Sequence, residues 1–378
     1  MLATINNNPF SKTVAQFNIA YTQMINHLGE AVAHLDPDIA NEKLLTDLYK
    51  SMVFIRLFDK KAVALQRTGK MGTYPSSLGQ EAVGVGIGYA MNPNDVFAPY
   101  YRDHAALYLR GVSLADMLLY WGGDERGSLI NGAPQFDLPN CVPIANQITH
   151  AAGIACAIKI RHEKNAVLTT CGDGATSRGD FYEAINLAGI WQLPMVVVVN
   201  NNQWAISVSR GIQTAAETIA QKAIAAGMPG EQVDGNDALA VYSVIKKALK
   251  KARAGKGPTL IEAITYRLGD HTTADDATRY RPPEALNKGW ELEPIKRLQT
   301  FLHNNNFWGP EQERAWITQC EQNITQGVEA YLNTPDAPPE DIFDYLYAEL
   351  PFAMEEQRQH LIAKARSLNA NKKEEESL

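Results

Sequence analysis

Residues 167–186, VLTTCGDGATSRGDFYEAIN, place one carboxylate between two glycines, where a run of β-branched and apolar residues ends. The apolar run predicts a short strand at 166–170, and the second half of the stretch predicts a helix. Ligands of open α/β sheets bind at the carboxyl ends of strands, which is where Asp173 lies. Gly172 and Gly174 allow close approach of a ligand to the backbone. The N–H groups that open the following helix favour an anionic ligand.

The next apolar run, MVVVV at 195–199, predicts a strand buried on both faces, and it ends in a run of polar residues at 200–203. A right-handed crossover places this strand near the first one, so Asp173 and the asparagines should converge at one edge of the sheet. A carboxylate, an amide oxygen and a backbone carbonyl form half of an octahedral shell, which Mg²⁺ completes with phosphate oxygens and water. The two strand ends therefore predict a Mg²⁺–diphosphate site. The alternative is an Asp that caps the helix and asparagines that form a turn.

Strands alternate with helices through the middle of the chain. Further strands are expected at 232–234 and 259–266, and helices at 146–161 and 239–254. Continuous apolar strands that alternate with helices are typical of a parallel sheet covered on both faces. The predicted fold class is therefore α/β, with a central, mostly parallel sheet.

Three regions are expected along the chain. Residues 1–43 are polar, Asn-rich and moderately helical in pattern, and they predict a helical N-terminal arm. Residues 44–350 predict the α/β domain with a helical C-terminal part. Residues 351–378 predict a C-terminal tail, and its charged last part is expected to be disordered because it has nothing to bury. GVGIG at 84–88 is interpreted as small residues on a packed helix, because no strand precedes it and the full dinucleotide-binding pattern is absent.

Composition excludes several classes of function. The chain has 378 residues, with 35 basic and 42 acidic side chains and a net charge of −7. This balance disfavours nucleic acid as a partner, and no apolar run is long enough to predict a membrane helix. The N-terminus lacks the pattern of a secretory or Arg-rich transit peptide. Four isolated cysteines, without a Cys-x-x-Cys pair, fit a reducing compartment, so we expect a cytoplasmic protein.

The Gly172-Asp173-Gly174 turn, followed by a helix, a strand and Asn201-Asn202, matches the thiamine-diphosphate motif. Across most of its length the chain resembles the alpha subunit of the thiamine-diphosphate-dependent decarboxylating component of 2-oxoacid dehydrogenase complexes. Within that family it is most similar to bacterial pyruvate dehydrogenases. The stretches that carry the resemblance are YPSSLGQEA (74–82), PYYRDH (99–104), GDGATSRGDFYEAINLAG (172–189), NNQWAIS (201–207), AAGMPGEQVDGND (225–237) and YRLGDHTTADDATRYR (266–281).

The resemblance implies a thiamine-diphosphate-binding fold with Mg²⁺ and thiamine diphosphate as cofactors. It assigns the metal to the side chains of Asp173 and Asn202 and to the backbone carbonyl of Trp204. The family often has a smaller aromatic ring at the position of Trp204. The backbone N–H groups of Gly174 and Ala175 are implied diphosphate donors.

A Tyr-Arg pair, Tyr101 and Arg102, matches the family's cofactor-binding pair. The planar fork of Arg102 suits a diphosphate, because it can pair with two oxygens at once; the alternative is a surface charge. Val142 and Ile144 align with a segment whose backbone holds the aminopyrimidine ring. Pro143 stands in this segment, where the family has glycines.

His271 is the candidate catalytic side chain and a further cofactor-binding residue. It lies in a charged loop after a predicted strand, and a histidine can exchange a proton with a reaction intermediate or hold a phosphate oxygen. The loop is expected to be mobile without cofactor. The alternative is that its charges form only a solvated surface.

The implied reaction is oxidative decarboxylation of pyruvate with reductive acetylation of the lipoyl group of an acyltransferase component. The chain shows one α/β unit, which holds the diphosphate, so the pyrimidine-binding half should belong to a beta subunit in an α₂β₂ heterotetramer. Alternatives in the same class are branched-chain 2-oxoacid dehydrogenase and acetoin dehydrogenase. A Mg²⁺-dependent phosphohydrolase would need a second nearby Asp, which Asp173 lacks. A non-catalytic regulatory subunit is disfavoured by the paired Asp173 and Asn202.

Overall fold

The computed structural model describes residues 12–344 and 346–375, with side chains up to residue 368. The chain divides between Tyr331 and Leu332 into two compact units. The domain boundaries expected at residues 43 and 350 remain predictions. Among the described residues, no helix is both long enough and apolar enough to cross a membrane.

A six-stranded sheet, in which every strand pair is parallel, forms the centre of the first unit. A separate antiparallel pair follows the fourth strand. The strands are β1 (Ala20–Thr22), β2 (Val96–Ala98), β3 (Val167–Gly172), β4 (Met195–Asn201), β5 (Trp204–Ala205), β6 (Val208–Ser209), β7 (Gly230–Asp234) and β8 (Thr259–Ile264). The sheet order is β1-β7-β8-β4-β3-β2, so β3 and β4 are neighbours in the interior of the sheet. The predicted parallel α/β class is confirmed.

Helices cover both faces of this sheet. In the described part of the chain, the helices are α1 (Glu42–Arg67), α2 (Glu81–Ala90), α3 (His104–Leu109), α4 (Leu114–Gly122), α5 (Asn146–Ile160), α6 (Gly179–Ile190), α7 (Arg210–Gln213), α8 (Lys222–Ala225), α9 (Ala238–Arg253), α10 (Pro283–Glu291), α11 (Pro294–Asn304), α12 (Pro310–Leu332), α13 (Asp341–Asp344) and α14 (Phe352–Glu375). Single 3₁₀ turns span Glu125–Ser128, Asp173–Ser177 and Ala277–Arg279.

Strand β4 shows why the sheet is buried on both faces. Successive side chains of a strand point to opposite faces. Val196 and Val198 pack into a core with α1, α2 and α9, whereas Val197 and Val199 pack into a second core with α5 and α6. Both cores need apolar side chains, so the strand is a continuous apolar run.

The helical N-terminal arm is corrected for the described residues. No helix lies between residues 12 and 41; β1 instead pairs with β7 at one edge of the sheet. The backbone N–H groups of Met24 and Ile25 donate to the Asp237 carboxylate at 2.6 and 2.7 Å. Tertiary partners for the backbone replace the local hydrogen bonds of a helix, which an Asn-rich segment forms poorly. The prediction for residues 1–11 lies outside the described residues.

The disorder expected for the charged last part of the tail remains a prediction. Helix α14 continues through the tail to Glu375, and residues 376–378 lie outside the described residues. The segment is rich in Ala, Lys and Glu, which have high helix propensity and can form a helix without a buried face.

Candidate active site

A cavity of about 220 Å³ lies at the carboxyl ends of β3 and β4. Nine of the ten predicted site residues line it: Tyr101, Arg102, Ile144, Asp173, Gly174, Ala175, Asn202, Trp204 and His271. The tenth, Val142, is not part of the lining and has 47% of its surface exposed. The other lining residues are Tyr100, Cys141, Ala145, Gln147, Cys171, Gly172, Ala205 and Ile206.

The register of two strands brings the polar groups together. Gly172, the last residue of β3, pairs with Asn200 of β4. Asp173, the first residue after β3, therefore lies close to Asn202, the first residue after β4. Parallel neighbours end at the same edge of a sheet, which explains why residues distant in sequence share one cavity.

Asp173 is buried, with 1% of its surface exposed. Within residues 12–344 and 346–375, its Oδ2 atom has no hydrogen-bond partner. Burial raises the pKa of this carboxyl to about 6, although Arg267 and Arg102 act in the opposite direction. A buried carboxylate oxygen without a donor is costly. The position therefore suits a bound cation.

The side chain of Asn202 is oriented by two contacts. Its Nδ2 donates to Oε1 of Gln80 at 2.9 Å, and its Oδ1 accepts from the backbone N–H of Trp204 at 3.2 Å. A carbonyl oxygen has two lone pairs, so Oδ1 keeps one for a further partner. Trp204 is itself fixed, because its indole N–H donates to the hydroxyl of Tyr266 at 3.2 Å.

These groups fit a hard divalent cation that also binds a phosphate. Mg²⁺ prefers oxygen ligands and keeps several positions for water and phosphate. In the described part of the chain, no cluster of three or more His, Cys, Asp or Glu side chains could hold a metal ion alone. Gly174 packs closely here, since a Cβ at this position would lie 2.8 Å from the Cβ of Ala205. The donor set therefore suits a shared metal–phosphate site.

Arg102 reaches the cavity from the loop after β2. Only 4% of its surface is exposed, and it donates to the carbonyls of Ser76 at 2.5 Å and of His271 at 3.1 Å. Its Nε atom is buried and has no hydrogen-bond partner among the described residues. Burial excludes the alternative of a surface charge for this arginine.

His271 lies between two guanidinium groups. Arg102 and the fully buried Arg267 both contact its Nδ1 atom, at 3.3 and 3.2 Å. Arginine can only donate, so Nδ1 accepts and the ring proton of the neutral imidazole lies on Nε2. Burial and, after it, the charges of Arg102 and Arg267 lower the pKa of His271 to about 3. The ring thus offers one hydrogen-bond donor and no free basic nitrogen.

The loop that carries His271 is held by hydrogen bonds. Its backbone N–H donates to Asp275 at 2.8 Å, and the hydroxyl of Tyr280 donates to the same carboxylate at 2.5 Å. Arg281 is also buried, with 8% of its surface exposed. The charges of this loop are therefore more than a solvated surface, and its mobility without cofactor remains a prediction.

Sequence reasoning missed three glutamines around the site. Gln80 holds Asn202, Gln147 donates to the carbonyl of Thr170 at 2.6 Å, and Gln213 donates to the carbonyl of Asp173 at 3.1 Å. Only Gln80 lies in a stretch that carried the resemblance. A lone glutamine has no spacing pattern, so no sequence signal identifies the other two.

Comparison with known proteins identifies the class. The family described as Dehydrogenase E1 component matches residues 49–340. The chain belongs to this family of thiamine-diphosphate-dependent 2-oxoacid oxidoreductases, and its sheet is that of a thiamine-diphosphate-binding fold. Because the chain is an alpha-type subunit, it forms part of a complex with at least one other chain.

Several curated relatives are similar over most of their length. The pyruvate dehydrogenase E1 component subunit alpha of Acholeplasma laidlawii is 42% identical over 85% of this chain and 94% of the relative. The protein of the same name from Bacillus subtilis is 39% identical over 89% and 90%. The 3-methyl-2-oxobutanoate dehydrogenase subunit alpha of Mycobacterium tuberculosis is 41% identical over 85% and 88%.

Proposed function

We propose that the chain is the alpha subunit of a pyruvate dehydrogenase E1 component. This component decarboxylates pyruvate oxidatively and transfers the acetyl group to the lipoyl group of an acyltransferase component. The observation that carries the proposal is the buried Oδ2 of Asp173, which has no partner among the described residues and lies beside Asn202 at the strand ends of a chain of this family. The relatives named pyruvate dehydrogenase support the choice of substrate.

The chain's own contribution is to hold the cofactor. Asp173, the Oδ1 atom of Asn202 and the carbonyl of Trp204 would bind Mg²⁺. The backbone N–H groups of Gly174 and Ala175 would donate to the diphosphate. Bound thiamine diphosphate supplies the electron sink for the loss of CO₂ from a 2-oxoacid.

Two side chains complete the anionic part of the site. Arg102 contributes a buried positive charge whose attraction for a diphosphate is strong in a low-dielectric cavity. His271 donates from Nε2 to a phosphate oxygen or to a developing oxyanion of the substrate. The two arginines at Nδ1 keep the ring neutral, so this donor stays in place throughout the physiological pH range.

The cavity wall at Tyr101 and Ile144 would contact the rings of the cofactor. Ile144 lines the cavity and its backbone is the proposed partner of the aminopyrimidine. The equivalent role of Val142 needs a shift of its segment, because Val142 is outside the lining.

An exposed apolar rim supports the proposal that a partner subunit binds next to the cavity. Around the cavity mouth and in the segments next to it, five aliphatic side chains are 41–83% exposed: Val142, Ile144, Ile206, Val208 and Ile212. Large exposed apolar patches mark protein interfaces. We assign this rim to a beta subunit that supplies the pyrimidine-binding half, in an α₂β₂ heterotetramer. The cytoplasmic location expected from the cysteine pattern, which the resemblance makes bacterial, belongs to the same proposal.

The second candidate is a branched-chain 2-oxoacid dehydrogenase. The M. tuberculosis relative, named for 3-methyl-2-oxobutanoate, is as similar as those named for pyruvate. This candidate keeps every site assignment and changes only the substrate.

The test is turnover by the chain co-purified with its partner, with Mg²⁺, thiamine diphosphate and an artificial electron acceptor. We expect kcat/KM for pyruvate to exceed that for 3-methyl-2-oxobutanoate by roughly 10- to 200-fold, the discrimination available from a few methyl groups. The reverse preference would support the second candidate. Full turnover by the purified chain alone would contradict the shared site.

A further inference from the structure

We propose that Gln80 is a positioning residue for the metal site: it turns the amide of Asn202 so that Oδ1, and not Nδ2, faces the bound Mg²⁺. This inference rests on the proposed function, because it requires the cation at Asp173 and Asn202. It adds a residue from the start of α2 to a site otherwise built from the ends of β3 and β4.

The position of Gln80 is fixed by its backbone. Its N–H donates to the carbonyl of Ser77 at 2.9 Å. Gly79 has a φ of +87°, and a Cβ there would lie 2.4 Å from the carbonyl oxygen of Tyr266. The next residue, Glu81, is buried and pairs with Arg56 at 2.7 Å. Gln80 is thereby held before it meets Asn202.

Oε1 of Gln80 and the N–H of Trp204 together decide which way Asn202 points. Oδ1 and Nδ2 of an asparagine have the same shape, so only hydrogen-bond partners distinguish the two orientations. Oε1 of Gln80 accepts from Nδ2 of Asn202, while the N–H of Trp204 donates to Oδ1. A rotation by half a turn would set a donor against a donor at Trp204 and an acceptor against an acceptor at Gln80. An amide nitrogen has no lone pair available for Mg²⁺, so the flipped state cannot bind the metal.

The surroundings of the Gln80 amide nitrogen indicate that the amide oxygen is the functional part of this side chain. Only 3% of Gln80 is exposed, and its Nε2 has no hydrogen-bond partner in the part of the chain that the structure describes. An unpartnered buried donor lowers stability. A methionine of similar shape would avoid this loss, so packing alone does not explain a glutamine here.

The test uses Gln80→Met and Gln80→Glu in the enzyme assembled with its partner subunit. The apo-enzyme is prepared with a chelator, and Mg²⁺ is titrated calorimetrically at saturating thiamine diphosphate. The apo-enzyme's Tm is measured in parallel. The matched control is Gln299→Met, which removes a glutamine that donates to the Tyr49 hydroxyl at 2.8 Å and does not line the cavity.

We expect Gln80→Met to weaken Mg²⁺ binding by about 10- to 100-fold, as is usual when a partner of a metal ligand is removed. The apo-enzyme's Tm should stay the same or rise. Gln80→Glu keeps an acceptor for Nδ2 and should bind Mg²⁺ more tightly than Gln80→Met, and Gln299→Met should bind it like the parent. A merely structural role would instead lower Tm together with affinity.

A second pair of variants tests the orientation itself. Asn202→Asp presents an oxygen in either orientation, so adding Gln80→Met to it should change Mg²⁺ affinity by less than about twofold, as expected for uncoupled changes. An undiminished effect of Gln80→Met in that background would overturn the inference, as would parental affinity in Gln80→Met alone. Gln80→Leu replaces Gln80→Met if the latter does not assemble. Cofactor binding by the parent without any need for Mg²⁺ would refute the metal site itself, which is a separate outcome.

Discussion

Buried charge is arranged differently at the amino ends of β2 and β3 and at the carboxyl ends of β3 and β4. Near the amino ends of β2 and β3, each buried carboxylate has a guanidinium partner. Asp95 binds Arg253 through two hydrogen bonds, and Asp137 binds Arg110 in the same way. These charges are compensated within the chain, so this end of the sheet requires no ligand to complete it.

Around the cavity at the carboxyl ends of β3 and β4, three buried charges are not compensated by each other. Arg102, Arg267 and Asp173 form no salt bridge within the described residues, although each is at most 4% exposed. Buried ions normally have a partner of opposite charge. Two free cations suit an anionic diphosphate and one free carboxylate suits a divalent metal. The contrast indicates that compensated charges serve the fold and uncompensated charges serve the ligand.

The largest expected effect is at Asp173. Asp173→Asn should lower kcat/KM of the assembled enzyme by about 10³-fold or more, equivalent to roughly 4 kcal/mol, because it removes the one carboxylate among the proposed metal ligands of this chain. It should not lower the Tm of the apo-enzyme, since burial already raises the pKa of Asp173 and disfavours its charge. Steady-state kinetics and thermal unfolding measure the two quantities. Asp180→Asn, on the partly exposed start of α6, is the control.

A fall in both activity and Tm for Asp173→Asn would contradict the comparison. It would mean that the carboxylate has a stabilising partner within the protein, like Asp95 and Asp137.

The opposite result is expected at the other end of the sheet. Asp137→Asn leaves the buried Arg110 without its carboxylate, and breaking a buried pair in this way costs about 3–5 kcal/mol. The folded fraction should keep its kcat and its affinity for thiamine diphosphate. Urea unfolding of the assembled enzyme, paired with kinetics at low temperature, separates these effects. A loss of cofactor affinity without a loss of stability would show that this end also serves the ligand.

A third buried group carries no charge at neutral pH. His104 is fully buried, donates from Nε2 to the carbonyl of Pro75 at 3.0 Å and leaves Nδ1 unpartnered in the described structure. Burial lowers its pKa from 6.5 to about 4. Between these two pH values, the unfolded chain therefore binds a proton that the folded chain does not. The contribution of His104 to the free energy of unfolding is complete above pH 6.5 and is lost as the pH falls. At pH 4, this effect should lower the free energy of unfolding by about 3 kcal/mol.

The measurement is urea unfolding of the parent and of His104→Gln between pH 7 and pH 4. The glutamine can keep a hydrogen bond to Pro75 and does not titrate, so its stability should fall less steeply over this range. Equal slopes for the two proteins would show that His104 is not a buried neutral group.

The strands of the sheet and the contacts of the site could be predicted from the sequence to different extents. The strands at Met195–Asn201 and Thr259–Ile264 were identified because apolar runs of strand length are a local signal. Strand β1 was missed because its three residues have no such pattern and depend on pairing with β7. For the same reason the sequence pattern predicts a helical arm, whereas residues 12–41 contain no helix.

For the site, sequence motifs located side chains but not their partners. Asp173 and Asn202 could be placed together from the strand order alone. The neutral state of His271 could not be predicted, because it depends on Arg102, which is distant in sequence and meets the ring only in the folded chain. The same holds for Gln80 and Asn202, which are separated by 122 positions.

The smallest effect is expected at Trp204, where the side chain stabilises the fold and the backbone carbonyl is a proposed metal ligand. Trp204→Tyr removes the indole hydrogen bond to Tyr266, so the free energy of unfolding should fall by about 1 kcal/mol. Activity and Mg²⁺ affinity should stay within about twofold of the parent values, because only the backbone carbonyl of residue 204 is a proposed metal ligand. An unchanged backbone leaves this carbonyl in place. Kinetics, metal titration and urea unfolding of the same preparation test this division. A tenfold loss of Mg²⁺ affinity with unchanged stability would show that the indole itself shapes the metal site, and the separation between groups that stabilise the fold and groups that bind the ligand would then fail within a single residue.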